Sequence, residues 1–330
     1  MAYIEAENLQ KTFKVYERPK GAGAALRSLI HRTYTEKRAV DGISFSIQKG
    51  EMVGYIGPNG AGKSTTIKML GGILVPDGGR VLCGDRVPWK ERKENALHMG
   101  VVFGQGAQLN WELPMEDTFE LYRKMYRIPE SIYKRNVECF TELLGMGEFL
   151  RKPVRSLSLG QKMRAERSAV LLHDPEVLFL YEPTVGLDVV AKDRIRKFLK
   201  ELNREKQTTI LLTTHDLSDI EQLCDRIFMI DKGQEIFDGT VSQLKETFGK
   251  MKTLSFDLTP GQNHLVSHYE GLPDMSIDRQ GNTLNIEFDS SRYQSADIIK
   301  QTLSDFEVRD LKMVDTDIED IIRRFYRKEL

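Results

Sequence analysis

The sequence predicts an α/β protein followed by a small α+β domain, and three observations carry that prediction. Short apolar runs recur at Met52–Ile56, Met99–Phe103, Val177–Leu180, Thr209–Thr213 and Arg226–Ile230, with helix-length segments between them. Such spacing favours parallel strands joined by crossover helices. A glycine-rich turn, GPNGAGKST, lies between the first of these runs and a helical pattern. Near Phe248–Lys252 the order changes to strand, short helix, strand, strand, helix, strand, which is the ferredoxin-like βαββαβ order.

Taken in order, Tyr3–Leu9 and Ile43–Ile47 alternate as an antiparallel layer would. Between Lys11 and Arg38 eight Lys/Arg oppose two Glu, in a chain whose net charge is -1. This basic insertion, residues 17–38, sets Leu26, Leu29, Ile30 and Tyr34 at helical spacing beside Arg27, His31 and Arg32. A basic amphipathic helix can lie on an anionic membrane, dock on a partner or pack on its own domain. No aromatic platform accompanies the charge, so nucleic acid is not an expected partner. From Gln105 to Arg167 the pattern turns helical, in FELYRKMYRI and SIYKRNVECFTELLGM, with Pro114, Pro129 and Pro153 as punctuation. That stretch predicts a helical subdomain inserted in the α/β core.

The C-terminal elements are expected as strand Thr253–Leu258, helix Asn263–Tyr269, strands Met275–Arg279 and Thr283–Phe288, helix Ser295–Phe306, strand Val308–Val314 and a last helix from Asp317. RQGN between the two middle strands is a hairpin signal. The expected domains are therefore 1–248 and 249–330, the second regulatory or assembly-related because it gathers no catalytic residue types.

With 40% hydrophobic and 29% charged residues, the composition is that of a globular protein. Cys83, Cys139 and Cys224 are scattered without a CxxC pair, which suits buried thiols in a reducing compartment. The acidic, polar start MAYIEAENLQKTF does not read as a signal peptide, and no window approaches a spanning helix.

The motif G-x-x-x-x-G-K-[ST] is met by Gly57, Gly62, Lys63 and Ser64, within YIGPNGAGKSTT. Its glycines, with Asn59, Gly60 and Ala61 between them, let backbone N–H groups wrap phosphates, and the following helix adds its positive end. Lys63 can reach β- and γ-phosphates, Ser64 can ligate Mg²⁺, and Thr65 can add a phosphate hydrogen bond. The expected ligand is a nucleoside triphosphate.

Further stretches then align with that loop. SLSLGQKMR contains Leu157, Ser158, Leu159, Gly160 and Gln161; VVFGQ ends in Gln105; VGLD carries Asp188; LLTTHD carries His215. Together with the phosphate loop they resemble the nucleotide-binding subunit of an ABC transporter over residues 1–248, and specifically stand-alone subunits of ABC-2-type exporters. Leu159 departs from that family, which usually has Gly there. The resemblance implies a P-loop NTPase with a RecA-like core, antiparallel β layer and helical subdomain. It also implies ATP and Mg²⁺ as ligands, Mg²⁺ held by Ser64 and Gln105, and a head-to-tail dimer of like or unlike chains. Ser158, Gly160, Gln161 and Asp188 of one chain would meet nucleotide on the other. An aromatic upstream of the loop would stack on adenine; Phe13 is the candidate and Tyr16 the alternative.

By the same resemblance, the run Val177–Leu180 should end in Asp-Glu, the Asp serving the Mg²⁺ shell and the Glu polarising water, with His215 and Gln105 assisting. Glu182 matches the second role. Tyr181 stands at the first, and a phenol is neutral at pH 7 and bulkier than a carboxylate. Three readings stay open: a degenerate ATPase site, a protein altered to bind without turnover, or Mg²⁺ held adequately by Ser64, Gln105 and phosphate. Slow hydrolysis with intact binding is expected.

The resemblance thus implies an exporter's motor, peripheral at the cytoplasmic face of the membrane, with transmembrane permease subunits on separate chains. Their helix would dock near Gln105 and Leu109–Met125. The rivals are a soluble ABC protein of ribosome or DNA-repair type and a non-hydrolysing, ATP-dependent assembly factor.

Overall fold

The structure, a computed structural model, describes residues 2–16, 34–102, 109–261, 272–315 and 318–327. A long antiparallel ribbon opens the chain: β1 (Ala2–Tyr16) pairs with β2 (Tyr34–Gln48) throughout its length. The second neighbour of β1 is the short strand β4 (Gly78–Cys83), giving a three-stranded sheet. Ile4, Ala6, Leu9, Ile43, Phe45 and Ile47 are buried, as their alternation requires, while the outer half of the ribbon is exposed. Tyr34 is therefore a strand residue facing Tyr16 edge-on at 6.3 Å, not part of a basic helix. Cross-strand aromatic pairing outcompetes helical spacing at that position. Leu26, Leu29 and Ile30 lie outside the described residues.

The central sheet has six strands. β3 (Met52–Ile56) sits between β7 (Thr209–Thr213) and β8 (Arg226–Asp231), and β6 (Val177–Tyr181) lies between β7 and β5 (Met99–Val102). These five strands are parallel, and β9 (Gln234–Thr240) adds the edge beside β8. Every residue of β3 and β7 is buried, which is why they read as unbroken apolar runs. Phe228 stacks on Tyr55 at 5.5 Å and meets Phe45 at 5.1 Å, so the ribbon and the parallel sheet share one core.

Helices fill the crossovers: α1 (Lys63–Leu70) follows β3, and α2 (Arg92–His98) precedes β5. Between β5 and β6 come α3 (Met115–Met125), α4 (Glu130–Leu143) and α5 (Leu159–Leu171). α5 starts directly after Ser158, its N-cap. Ser158 Oγ accepts from the Gln161 N–H while Gln161 Oε1 accepts from the Ser158 N–H, a reciprocal cap worth about 1 kcal/mol. α6 (Val189–Lys206) follows β6 and α7 (Leu217–Leu223) follows β7.

Two compact units emerge, Met1–Asp238 and Gly239–Leu330. In the second, α8 (Val241–Phe248) precedes a four-stranded antiparallel sheet of β10 (Met251–Leu258), β11 (Met275–Gln280), β12 (Thr283–Asp289) and β13 (Val308–Asp315), in the order β11-β12-β10-β13. With α9 (Ser295–Asp305) between β12 and β13, this is the ferredoxin-like order; the expected helix Asn263–Tyr269 lies outside the described residues. Leu254, Phe256, Leu258, Leu284, Ile286 and Phe288 form one buried face under Ile298. α10 (Ile318–Arg327) meets α8 through Phe325 and Phe248, 5.0 Å between rings. The sequence grouped Val241–Phe248 with the first domain; this aromatic contact explains its grouping with the second unit.

Candidate functional site

From the end of β3 the chain enters the glycine-rich loop and closes it at the start of α1. Gly62 caps that helix at φ +112°, and a Cβ there would lie 2.3 Å from the Ala39 carbonyl oxygen, so the tight approach of loop to ribbon requires glycine. The Thr66 N–H donates to the Gly62 carbonyl (2.9 Å), and the Tyr55 hydroxyl donates to Thr66 Oγ1 (3.1 Å), which fixes the first turn of the helix on β3. Gly57 backs on Ile230, and Ala61 is buried with its N–H on the Pro58 carbonyl (3.1 Å).

Around this loop lies a cavity of about 240 Å³. Asn59, Gly60, Gly62, Lys63, Ser64 and Thr65 form one wall. Phe13, Lys37 and Ala39 of the ribbon and Tyr181 at the tip of β6 form the others. Lys63 is 5% exposed and donates to the carbonyls of Gly57 and of Pro58 (3.1 Å). Burial holds its ammonium below the ordinary lysine range, against the pull of the Glu182 charge. Among the described residues two lysines and no carboxylate line the cavity, so this lining attracts anions. Tyr16 is not among the lining residues; it packs on Tyr34.

Glu182 follows β6 with φ +54°, a left-handed conformation that costs about 1–3 kcal/mol for a non-glycine residue. Its N–H donates to the Thr213 carbonyl (2.7 Å), so the bend is held by β7. Oε2 accepts from the His215 N–H (3.3 Å). Oε1 is buried without a hydrogen bond among the described residues, with His215 Nε2 3.5 Å away on an exposed ring. A buried carboxylate oxygen left without a donor is costly, and a water or hydroxyl from a ligand would satisfy it.

Behind it stands a buried tie that sequence reasoning missed. Asp219 is 0% exposed and accepts from Thr184 Oγ1 (2.5 Å) and Arg196 Nε (2.6 Å), with Thr214 Oγ1 at 3.4 Å. It joins the loops after β6 and β7 to α6, on both sides of Glu182 and His215. The available signal was an acid four residues past His215, in the helix that follows it. Lys37 was missed as well, because only the register of the ribbon sets it opposite Phe13.

Ser158, Gly160 and Gln161 occupy the start of α5, and Asp188 caps α6 by accepting from the Ala191 N–H (2.8 Å). None of the four lines the cavity of its own chain. The start of α5 approaches the loop that precedes Asp188: a Cβ on Gly160 would sit 3.8 Å from the Gly186 carbonyl oxygen. Leu159, the departure in that stretch, is 68% exposed. Gln105 lies outside the described residues.

Among the described residues no cluster of His, Cys, Asp or Glu could hold a metal by itself. The Ser64 and Thr65 hydroxyls at the cavity wall fit a hard cation that arrives on a phosphate chain, since oxygen donors and phosphate are what Mg²⁺ takes.

A family profile described as ABC transporter matches residues 40–185. The linearmycin resistance ATP-binding protein of Bacillus subtilis is 37% identical over 220 residues, 67% of this chain and 70% of that protein. The Nod factor export ATP-binding protein I of Ralstonia nicotianae is 34% identical over 235 residues, 69% and 72% of the two chains. A solved dimeric bacterial ABC transporter cassette is similar with a TM-score of 0.60 and 26% identity, over 72% of this chain and 98% of that one. Similarity of this extent, on a phosphate-loop fold, decides the family: the chain belongs to the ATP-binding ATPase subunits of ABC transporters.

Proposed function

We propose that this chain is the motor subunit of an exporter, coupling ATP binding and hydrolysis to transport through permease subunits on separate chains. The observation that carries this reading is the cavity whose described lining is cationic and free of carboxylates, with Phe13 on the ribbon side, open to a polyanion bearing a flat ring. The relatives' names, a resistance protein and a Nod factor export protein, support export. Permeases on other chains and a peripheral place at the cytoplasmic face belong to this reading; among the described residues no helix is long and apolar enough to cross a membrane.

In this reading adenine stacks on Phe13, and the loop N–H groups with Lys63 hold the phosphates. Mg²⁺, bound to Ser64 and phosphate oxygens, would neutralise developing charge and template the displacement. Glu182 polarises the attacking water through its unpartnered Oε1, and His215 sits against the same carboxylate. Gln105 completes the set. Ser158, Gly160, Gln161 and Asp188 serve the nucleotide of a second chain, offering the N-terminus of α5 to its γ-phosphate. Tyr181 stands where the family has an Asp and slows hydrolysis. Loss of one partner around a bound metal typically costs about 10–100-fold. Tyr122, in the docking stretch Leu109–Met125, lines a 420 Å³ cavity with Tyr126 and His173, room for a permease side chain.

The test is the mass of Glu182→Gln in solution by light scattering, with and without ATP and Mg²⁺. A dimer formed only with nucleotide supports the reading. A monomer under both conditions, with nucleotide bound, would contradict it.

A further inference from the structure

Among the described residues the outer half of the ribbon carries four cations, and three of them are occupied. Lys11 Nζ bonds Asp77 at 2.7 Å, the Lys14 ammonium lies 4.5 Å from the centre of the Tyr34 ring, and Arg38 pairs with Asp41 at 3.3 Å. Lys37 makes no ion pair among the described residues, and it alone of the four lines the cavity. Register sets it directly across from Phe13, so the ammonium and the ring share one end of the site. Lys63 belongs to the loop side and rests on the Gly57 and Pro58 carbonyls. Among the described residues the cavity thus has one cation on its loop wall and one on its ribbon wall.

We propose that Lys37 is a second phosphate-contacting residue, specific for the phosphate nearest the nucleoside. This rests on the reading that the cavity takes ATP with its base on Phe13. A base on that ring brings its ribose and first phosphate past the cross-strand neighbour, and the later phosphates past Lys63. Lys37 therefore contributes to ATP and ADP alike and does not sense the γ-phosphate. Its carbon stem remains on the exposed ribbon, so the contact is solvent-screened and modest.

Calorimetric titration of wild type, Lys37→Ala and Lys37→Arg with ATP and with ADP tests this. The expected result is a roughly two- to fivefold rise in Kd on Lys37→Ala, equal for both nucleotides, as for an exposed charge pair. Lys37→Arg should stay within about twofold of wild type, and the gap to Lys37→Ala should shrink in about 0.5 M salt. An unchanged Kd, or a gap indifferent to salt, would overturn the phosphate contact. A loss confined to ATP would overturn its placement at the nucleoside end. Failure of the wild type to bind either nucleotide would instead remove the ATP reading on which the proposal stands.

Discussion

The two units of this chain spend their sequence differently. Among the described residues, Thr302 is the one buried polar side chain of the second unit, and its hydroxyl is satisfied by the Ile298 carbonyl at 2.8 Å. The first unit buries Lys63, Glu182, Thr213 and Asp219, and leaves oxygens of Glu182 and Thr213 without a hydrogen bond. It also holds Glu182 in a left-handed conformation and closes Gly62 onto the ribbon. Strain and unsatisfied polar atoms persist only where surrounding structure over-determines them. Each unit holds a left-handed non-glycine residue, Glu182 in the first and Asp274 in the second, so among the described residues the difference lies in the buried polar groups and not in backbone strain.

The largest test of that contrast is chemical. Glu182→Gln should reduce ATP turnover by about 10²–10⁴-fold, as loss of a general base does, with nucleotide affinity and thermal stability kept. Phosphate release and melting curves would show both; a matching fall in stability would mean that the carboxylate is structural. Next comes packing. Phe256→Ala should cost the second unit about 3–5 kcal/mol, seen by denaturant unfolding, while ATP affinity changes by less than about twofold.

Glycine substitution sharpens the comparison further. Gly62→Ala must move the Ala39 carbonyl and should cost about 3 kcal/mol together with nucleotide binding. Gly281→Ala, at φ +63° in the hairpin of the second unit with nothing near its Cβ, should cost only about 1 kcal/mol. Urea titration of the pair decides it, and equal losses would erase the distinction.

A pH effect of similar or smaller size belongs to the first unit. Burial pulls the His173 pKa down to about 4, so the unfolded chain takes up the proton first as pH falls. Stability present above pH 6.5 is then lost as pH falls towards 4, by an amount on the order of 1–2 kcal/mol after solvent screening. His173→Gln should flatten that slope in unfolding titrations at pH 7 and 4.5.

Much of this was legible in the sequence, for a physical reason. Parallel strands buried on both faces, such as Thr209–Thr213, leave unbroken apolar runs. The phosphate loop leaves glycines at fixed offsets, and a reciprocal cap leaves Ser158 and Gln161 three apart. Pairings that depend on register left no such trace. Lys37 faces Phe13 only because β1 and β2 pair with several shifts, and Tyr34 was misread because its partner, Tyr16, is remote in sequence. The Asp219 tie was hidden likewise, since Thr184 and Arg196 approach it from other elements.

The most direct test of the account is Mg²⁺-dependent ATP hydrolysis by this chain beside Tyr181→Asp, with nucleotide affinity measured on both. The account predicts ATP binding by both proteins and slow turnover by the first, rising about 10–100-fold when the carboxylate is supplied. Equal, brisk turnover would contradict it, showing that Tyr181 does not limit the site.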